Sequence, residues 1–133
     1  MNREQMVFEF NKKAGQPLHQ PLTEMDLMDF RFKLILEEIN ELETAIDKIW
    51  VQLILWRFTV PTKEVVMNLL KELADVQYVL SGFAVTYGLP IEEAFRRVHE
   101  SNMSKLEGVM EVSSDGKVLK GANYQKPDLS DLV

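Results

Sequence analysis

Leu34-Ile35-Leu36-Glu37-Glu38-Ile39-Asn40-Glu41-Leu42 is the stretch on which the fold turns. It sits inside the series Leu27, Arg31, Leu34, Glu38, Glu41, Ala45, Ile49, whose steps of three and four residues line one side of a helix. Leu27, Leu34, Ala45 and Ile49 form a stripe of the kind that packs inward, yet Glu38 and Glu41 stand in its middle. Val65, Leu69, Glu72, Val76, Val79 and Phe83 repeat the anomaly, with Asp75 three residues beyond Glu72. Each helix therefore carries two carboxylates on or beside the face that should be buried. Where those faces meet, desolvation and like-charge repulsion push protons onto the acids. A hard divalent cation compensates: magnesium takes oxygen ligands and commonly joins protein carboxylates to substrate phosphates, and manganese can replace it. One acid pair at this spacing is common on solvated faces, whereas two pairs set in apolar stripes are not.

Working outward, the first helix is predicted from about Glu24 to Arg57, with Thr23 and Asp26 as a capping pair and a bend or break near Trp50–Trp56. Pro61 ends it, Thr62 caps the next helix from Lys63 to Tyr87, and Gly88 fits its stop. Pro90, Glu92 and Glu93 suit the start of a third helix that fades near Leu106. Residues 14–22, with two prolines, are irregular, and the first 13 residues can add a short helix. Val112–Val118 reads as a short hairpin around Asp115-Gly116, and Gly121–Pro127 as a loop. Residues 1–133 thus read as a single, all-α domain with a short irregular or hairpin C-terminal tail.

Composition narrows the chemistry. A 46% hydrophobic content supports a packed core, and zero cysteines exclude disulfides, thiolate-bound zinc, iron–sulfur clusters and a cysteine nucleophile. His19 and His99 are too few for a histidine-rich metal site. A net charge of −6 argues against binding nucleic-acid polymers, which rests on lysine and arginine. No apolar run reaches the roughly 18 residues of a membrane span, and a cytoplasmic setting is the plain expectation.

Leu36-Glu37-Glu38-Ile39-Asn40-Glu41-Leu42 and Lys71-Glu72-Leu73-Ala74-Asp75-Val76 resemble the two acidic motifs, E-E-x-x-E and E-x-x-D, of the all-α nucleoside triphosphate pyrophosphohydrolases. These are the MazG-like enzymes, with dimeric dUTPases and phosphoribosyl-ATP pyrophosphohydrolases as relatives. Val98–Lys105 is similar to the segment that meets substrate phosphates in that superfamily. Gly116–Lys120, Asn123-Tyr124 and Pro127-Asp128-Leu129 resemble the closing tail of its short members. The likeness spans roughly residues 24–129.

The resemblance implies hydrolysis of a nucleoside triphosphate, a dNTP above all, between the α and β phosphates. It implies a helical bundle assembled as a homodimer or homotetramer. It makes Glu38, Glu41, Glu72 and Asp75 magnesium ligands, and Glu37 a further ligand or the base that orients water. Asn102, Lys105, Lys120 and Tyr124 would meet the phosphates, and Phe10, Asn11 and Gln16 are flagged as base contacts. The long interval between Glu41 and Glu72 points to the dUTPase-like branch, and the tail ranks the phosphoribosyl-ATP branch lower.

Some residues keep two readings: His99 as packing residue or catalyst, Arg31 as ion-pair partner of the acids or substrate contact. Arg96 and Arg97 are expected to hold surface acids. The run Trp50, Leu53, Ile54, Leu55, Trp56 is apolar nearly all round, as at a subunit boundary, although a monomer covered by its N-terminal segment is the alternative. A ferritin-like di-iron site is excluded, because Gln16 and Arg96 stand three residues before the two histidines. A non-catalytic helical interaction module remains the rival from another class.

Overall fold

A computed structural model describes all of residues 1–133. It is helical, with four α-helices: α1 (Arg3–Lys13), α2 (Met25–Trp50), α3 (Lys63–Tyr87) and α4 (Ile91–Ser104). A π-helical turn, Val51–Leu55, follows α2, and a 3₁₀ turn, Ser130–Leu132, closes the chain. No strand forms; the expected hairpin reduces to one antiparallel bridge between Val112 and Val118. The chain divides into two compact units, Met1–Gly88 and Leu89–Val133.

In the first unit α1 begins at a capping box: Gln5 N–H donates to Asn2 Oδ1, and Asn2 N–H donates to Gln5 Oε1, both at 2.8 Å. The expected Thr23–Asp26 cap does not form. Glu24 is the N-cap of α2 with no side-chain bond, and Thr23 contributes only its carbonyl to Met25 N–H. Where the long helix was expected to bend, the ladder widens into the π-turn, a usual response to a residue that cannot be fitted at α spacing. Gln52, buried in that turn, clamps the next helix. Its Oε1 accepts from Thr62 N–H at 2.8 Å and its Nε2 donates to Thr62 Oγ1 at 3.0 Å. Thr62 therefore starts α3 as the sequence indicates, but its hydroxyl serves Gln52 rather than its own helix.

α3 packs chiefly on α2 and also on α1. Contacts from Gln52–Thr62 at one end to Tyr87 Oη donating to the Glu24 carbonyl at the other make α2 and α3 antiparallel. Ala84, Val85, Thr86 and Tyr87 are buried at the C-terminal end of α3, and Ala45 on α2 and Val7 on α1 are buried as well. Gly88 ends α3 at φ +64°, and a Cβ there would lie 2.8 Å from His19 Nδ1, so both backbone and space demand glycine. That close approach tethers the irregular segment, whose Gln20 N–H donates to the Thr86 carbonyl at 2.8 Å.

Both long helices also present a second apolar stripe that nothing in the chain covers. On α2 it comprises Phe32, Leu36, Ile39, Ile46 and Trp50, and on α3 Val66, Leu70, Leu73 and Leu80, with Trp50 62% and Leu70 68% exposed. In the second unit α4 carries the tail, which returns along it.

Candidate metal centre and substrate residues

Pairing α2 with α3 brings Glu38, Glu41, Glu72 and Asp75 together: one carboxylate oxygen from each lies within 4.8 Å of the others. The helical repeat explains this, since each acid pair spans one turn and the antiparallel packing sets the two turns level. Glu72 is buried, Glu38 and Asp75 are half-buried, and Glu41 is exposed. Glu38 Oε2 and Glu72 Oε2 are shut away from water and accept no hydrogen bond. Burial, with Glu41, Asp75 and Glu72 close by, holds the Glu38 carboxyl above its ordinary pKa.

Only one cation of the chain touches the cluster. Lys71 Nζ lies 2.7 Å from Asp75 Oδ2 and 3.2 Å from Glu72 Oε1, and both bonds raise its pKa. The sequence carries the signal for this pair, a lysine four residues before Asp75. Lys71 is well exposed and leaves the two sealed oxygens unsatisfied. Four carboxylates with two unpaired buried acceptors suit a hard, oxygen-seeking cation. Oxygens on opposite sides of such an ion lie about 4–5 Å apart, the scale of this cluster.

Glu37 is exposed on the neighbouring face of α2, outside the cluster. Arg31 forms no ion pair with the acids, contrary to one of its two readings. It is 6% exposed, its Nε and Nη2 have no partner, and its guanidinium lies 5.5 Å from the Phe30 ring centre. Burial lowers its pKa, and a Cβ at position 82 would approach Nη1 to 3.3 Å, so Gly82 gives the guanidinium its space. On α1, Phe10 is exposed and meets Tyr78 edge-on at 6.0 Å, while Asn11 is 3% exposed with an unpaired Nδ2. Gln16 only donates its N–H to the Asn11 carbonyl at 2.8 Å.

In the second unit Lys105 caps the end of α4, and its Nζ lies 5.8 Å from the Tyr124 ring centre. Lys120 reaches the same ring at 5.1 Å. Both distances are within cation–π range. Asn102 and His99 are exposed. Arg96 and Arg97 hold acids, as expected: Arg96 pairs with Glu93 and Glu100, and Arg97 with Glu93 and Asp131.

Antiparallel helices with a convergent carboxylate cluster define an all-α protein with a candidate site for a metal ion. The model of the phosphoribosyl-ATP pyrophosphohydrolase family matches residues 7–102, most of the chain, and the protein belongs to that family. It is accordingly a pyrophosphohydrolase of nucleotide-like substrates, within the superfamily that the acidic motifs resemble. The match takes in both acid pairs and stops before the tail, the part that ranked this branch lower. No curated protein matches the chain in a sequence comparison. No helix is long and apolar enough to cross a membrane.

Proposed function

We propose that the protein hydrolyses a nucleoside triphosphate, a dNTP in particular, at the α–β bond, releasing a monophosphate and pyrophosphate to cleanse the cytoplasmic nucleotide pool. The observation that carries this reading is the pair of buried, unpaired oxygens on Glu38 and Glu72 within the four-carboxylate cluster. Glu38, Glu41, Glu72 and Asp75 would hold magnesium, or manganese in its place. A cation held by these four carboxylates would supply neutralisation of phosphate charge, polarisation of the α-phosphorus and a lowered pKa for water.

Glu37 accepts the proton of the attacking water on its carboxylate. The new bond joins the water oxygen to the α-phosphorus, and the bond from that phosphorus to the bridging oxygen breaks, so pyrophosphate leaves with both electrons. Lys105 and Lys120 offer ammonium groups to the departing pyrophosphate, and Asn102 offers amide donors. Phe10 and Asn11 would meet the base, as the resemblance implies, with Phe10 the exposed member of the pair. The match to the phosphoribosyl-ATP family supports that compound as the second substrate reading, and dUTP is the third.

A panel of standard and modified NTPs and dNTPs, dUTP and phosphoribosyl-ATP, with magnesium in ¹⁸O-water, tests the reading. We expect magnesium-dependent pyrophosphate release with the label in the monophosphate. Silence across the panel, or label in pyrophosphate, overturns it.

The same reading includes a homodimer or homotetramer, supported by the uncovered stripes on α2 and α3. Light scattering should give two or four times the 15.4 kDa chain mass, and Leu36→Glu with Leu70→Glu should shift it to the monomer. A monomeric wild type refutes this part alone.

A further inference from the structure

One face of α4 carries side chains for which the reaction above has no use. Arg97, Ser101 and Ser104 follow at steps of four and three, on one side of the helix. Arg97 grips the end of the chain: its Nη1 donates to the Asp128 carbonyl at 3.0 Å, and Nη1 and Nη2 take the two Asp131 oxygens, Nη2 to Oδ2 at 2.9 Å. Its Nε donates to Glu93 Oε1 at 2.9 Å, so the guanidinium is engaged at every nitrogen. Ser101 Oγ donates to the Gln125 carbonyl at 2.6 Å, and Ser104 Oγ accepts from Gln125 N–H at 2.8 Å. Both serines are buried, so neither hydroxyl can exchange its partner for water without cost. Two-point arginine–carboxylate contacts add direction as well as energy.

Along the chain, Tyr124 stands between the Val112–Val118 bridge and Gln125, the residue whose backbone both serines hold. Lys105 and Lys120 converge on that ring from separate parts of the chain. Two ammonium groups brought to one ring repel each other, and the ring's attraction offsets this where the ring is held in place. A tail free to move would let Lys120 drift off.

We propose that Arg97, Asp131, Ser101 and Ser104 form a latch that positions Tyr124, and through it Lys105 and Lys120, as a preassembled receptor for pyrophosphate. These four are positioning residues. The inference rests on the reading of the two lysines as phosphate contacts. When the latch opens, only a fraction of molecules keeps the receptor assembled, and apparent affinity falls by that fraction. The lowered pKa values of Asp131 and Glu93, caused chiefly by their bonds to Arg97 and to the two arginines Arg96 and Arg97 respectively, keep both carboxylates charged at neutral pH.

The test uses the full chain as Asp131→Asn, Ser104→Ala and Asp131→Glu. Inorganic pyrophosphate binding is followed calorimetrically with magnesium present, beside KM and kcat on the best nucleotide of the panel. Asp131→Asn should raise the pyrophosphate Kd and the KM together, by about tenfold, with kcat within about twofold. Ser104→Ala should act in the same direction, and Asp131→Glu should return both constants toward wild type. Unchanged constants in Asp131→Asn and Ser104→Ala, or a loss confined to kcat and thermal stability, would overturn the latch. A wild type that neither hydrolyses nucleotides nor binds pyrophosphate would instead refute the proposed function.

Discussion

Glu72 and Arg97 are both charged side chains drawn largely out of water, and they meet opposite fates. Every nitrogen of Arg97 has an acceptor, supplied by Glu93, Asp128 and Asp131. Glu72 keeps one oxygen sealed without a donor, beside Glu38 in the same condition. The difference lies in what each helix meets. On α4, Glu93 pairs with Arg97 one turn on, and the tail's Asp128 and Asp131 supply the remaining acceptors. On α2 and α3, acid faces acid across the helix pair. A region that satisfies itself has a structural task, and one that accumulates like charge in a dry place needs something from outside.

The largest expected effect breaks this contrast at its centre. Glu38→Gln removes a ligand and also the repulsion, so activity and stability should move in opposite directions. We expect kcat/KM to fall on the order of 10²–10³-fold, while the metal-free protein becomes more resistant to urea. A Glu38→Gln variant that keeps full activity, or that unfolds more readily without metal, would put the acids among ordinary surface charges.

The acid cluster was legible in the sequence because period and polarity disagree there: an apolar stripe interrupted by Glu38, Glu41 and Glu72 has few physical explanations. The extents of α3 and α4 were legible for a similar reason, since Pro61, Gly88 and Pro90 constrain the backbone whatever surrounds them. Thr23 shows where such reading fails. Its side chain matches a cap, but the backbone into α2 is set by the Tyr87 bond to the Glu24 carbonyl, a contact from 63 residues away. The clamp of Gln52 on Thr62 was likewise invisible, because an amide in an apolar run gives no hint of its partner.

Arg31 sharpens the comparison, being a buried guanidinium on α2, the same helix as Glu38, and without the satisfaction Arg97 enjoys. Its Nε and Nη2 face no acceptor, and desolvation lowers its pKa. Replacing it by methionine, similar in length and apolar, removes the unpaired donors. Arg31→Met should therefore leave the metal-free protein as stable as wild type or more stable by about 1–3 kcal/mol in urea titrations. Destabilisation of that size would show that Arg31 has an acceptor in solution, and would restore the structural ion pair as its role.

The smallest effect separates the two regions by the sign of their response to pH. Glu38 has a pKa raised by folding, so the native state binds the proton more tightly than the unfolded chain. Its contribution to metal-free stability is greatest at low pH and declines as pH rises from the ordinary glutamate value through the raised one. Glu93 is the reverse: Arg96 and Arg97 pull its pKa down to about 2. Its contribution is present above the ordinary glutamate value and is lost as pH falls toward about 2. Urea midpoints measured against pH should therefore bend down on both sides for metal-free protein. Glu93→Gln should flatten the acid limb, and Glu38→Gln the limb at higher pH. Saturating magnesium should also remove the second limb and leave the first untouched, because the four carboxylates of the cluster share the single counter-charge of Lys71 and Glu38 has none of its own. A magnesium effect on both limbs, or on neither, would deny that the two regions differ in this way.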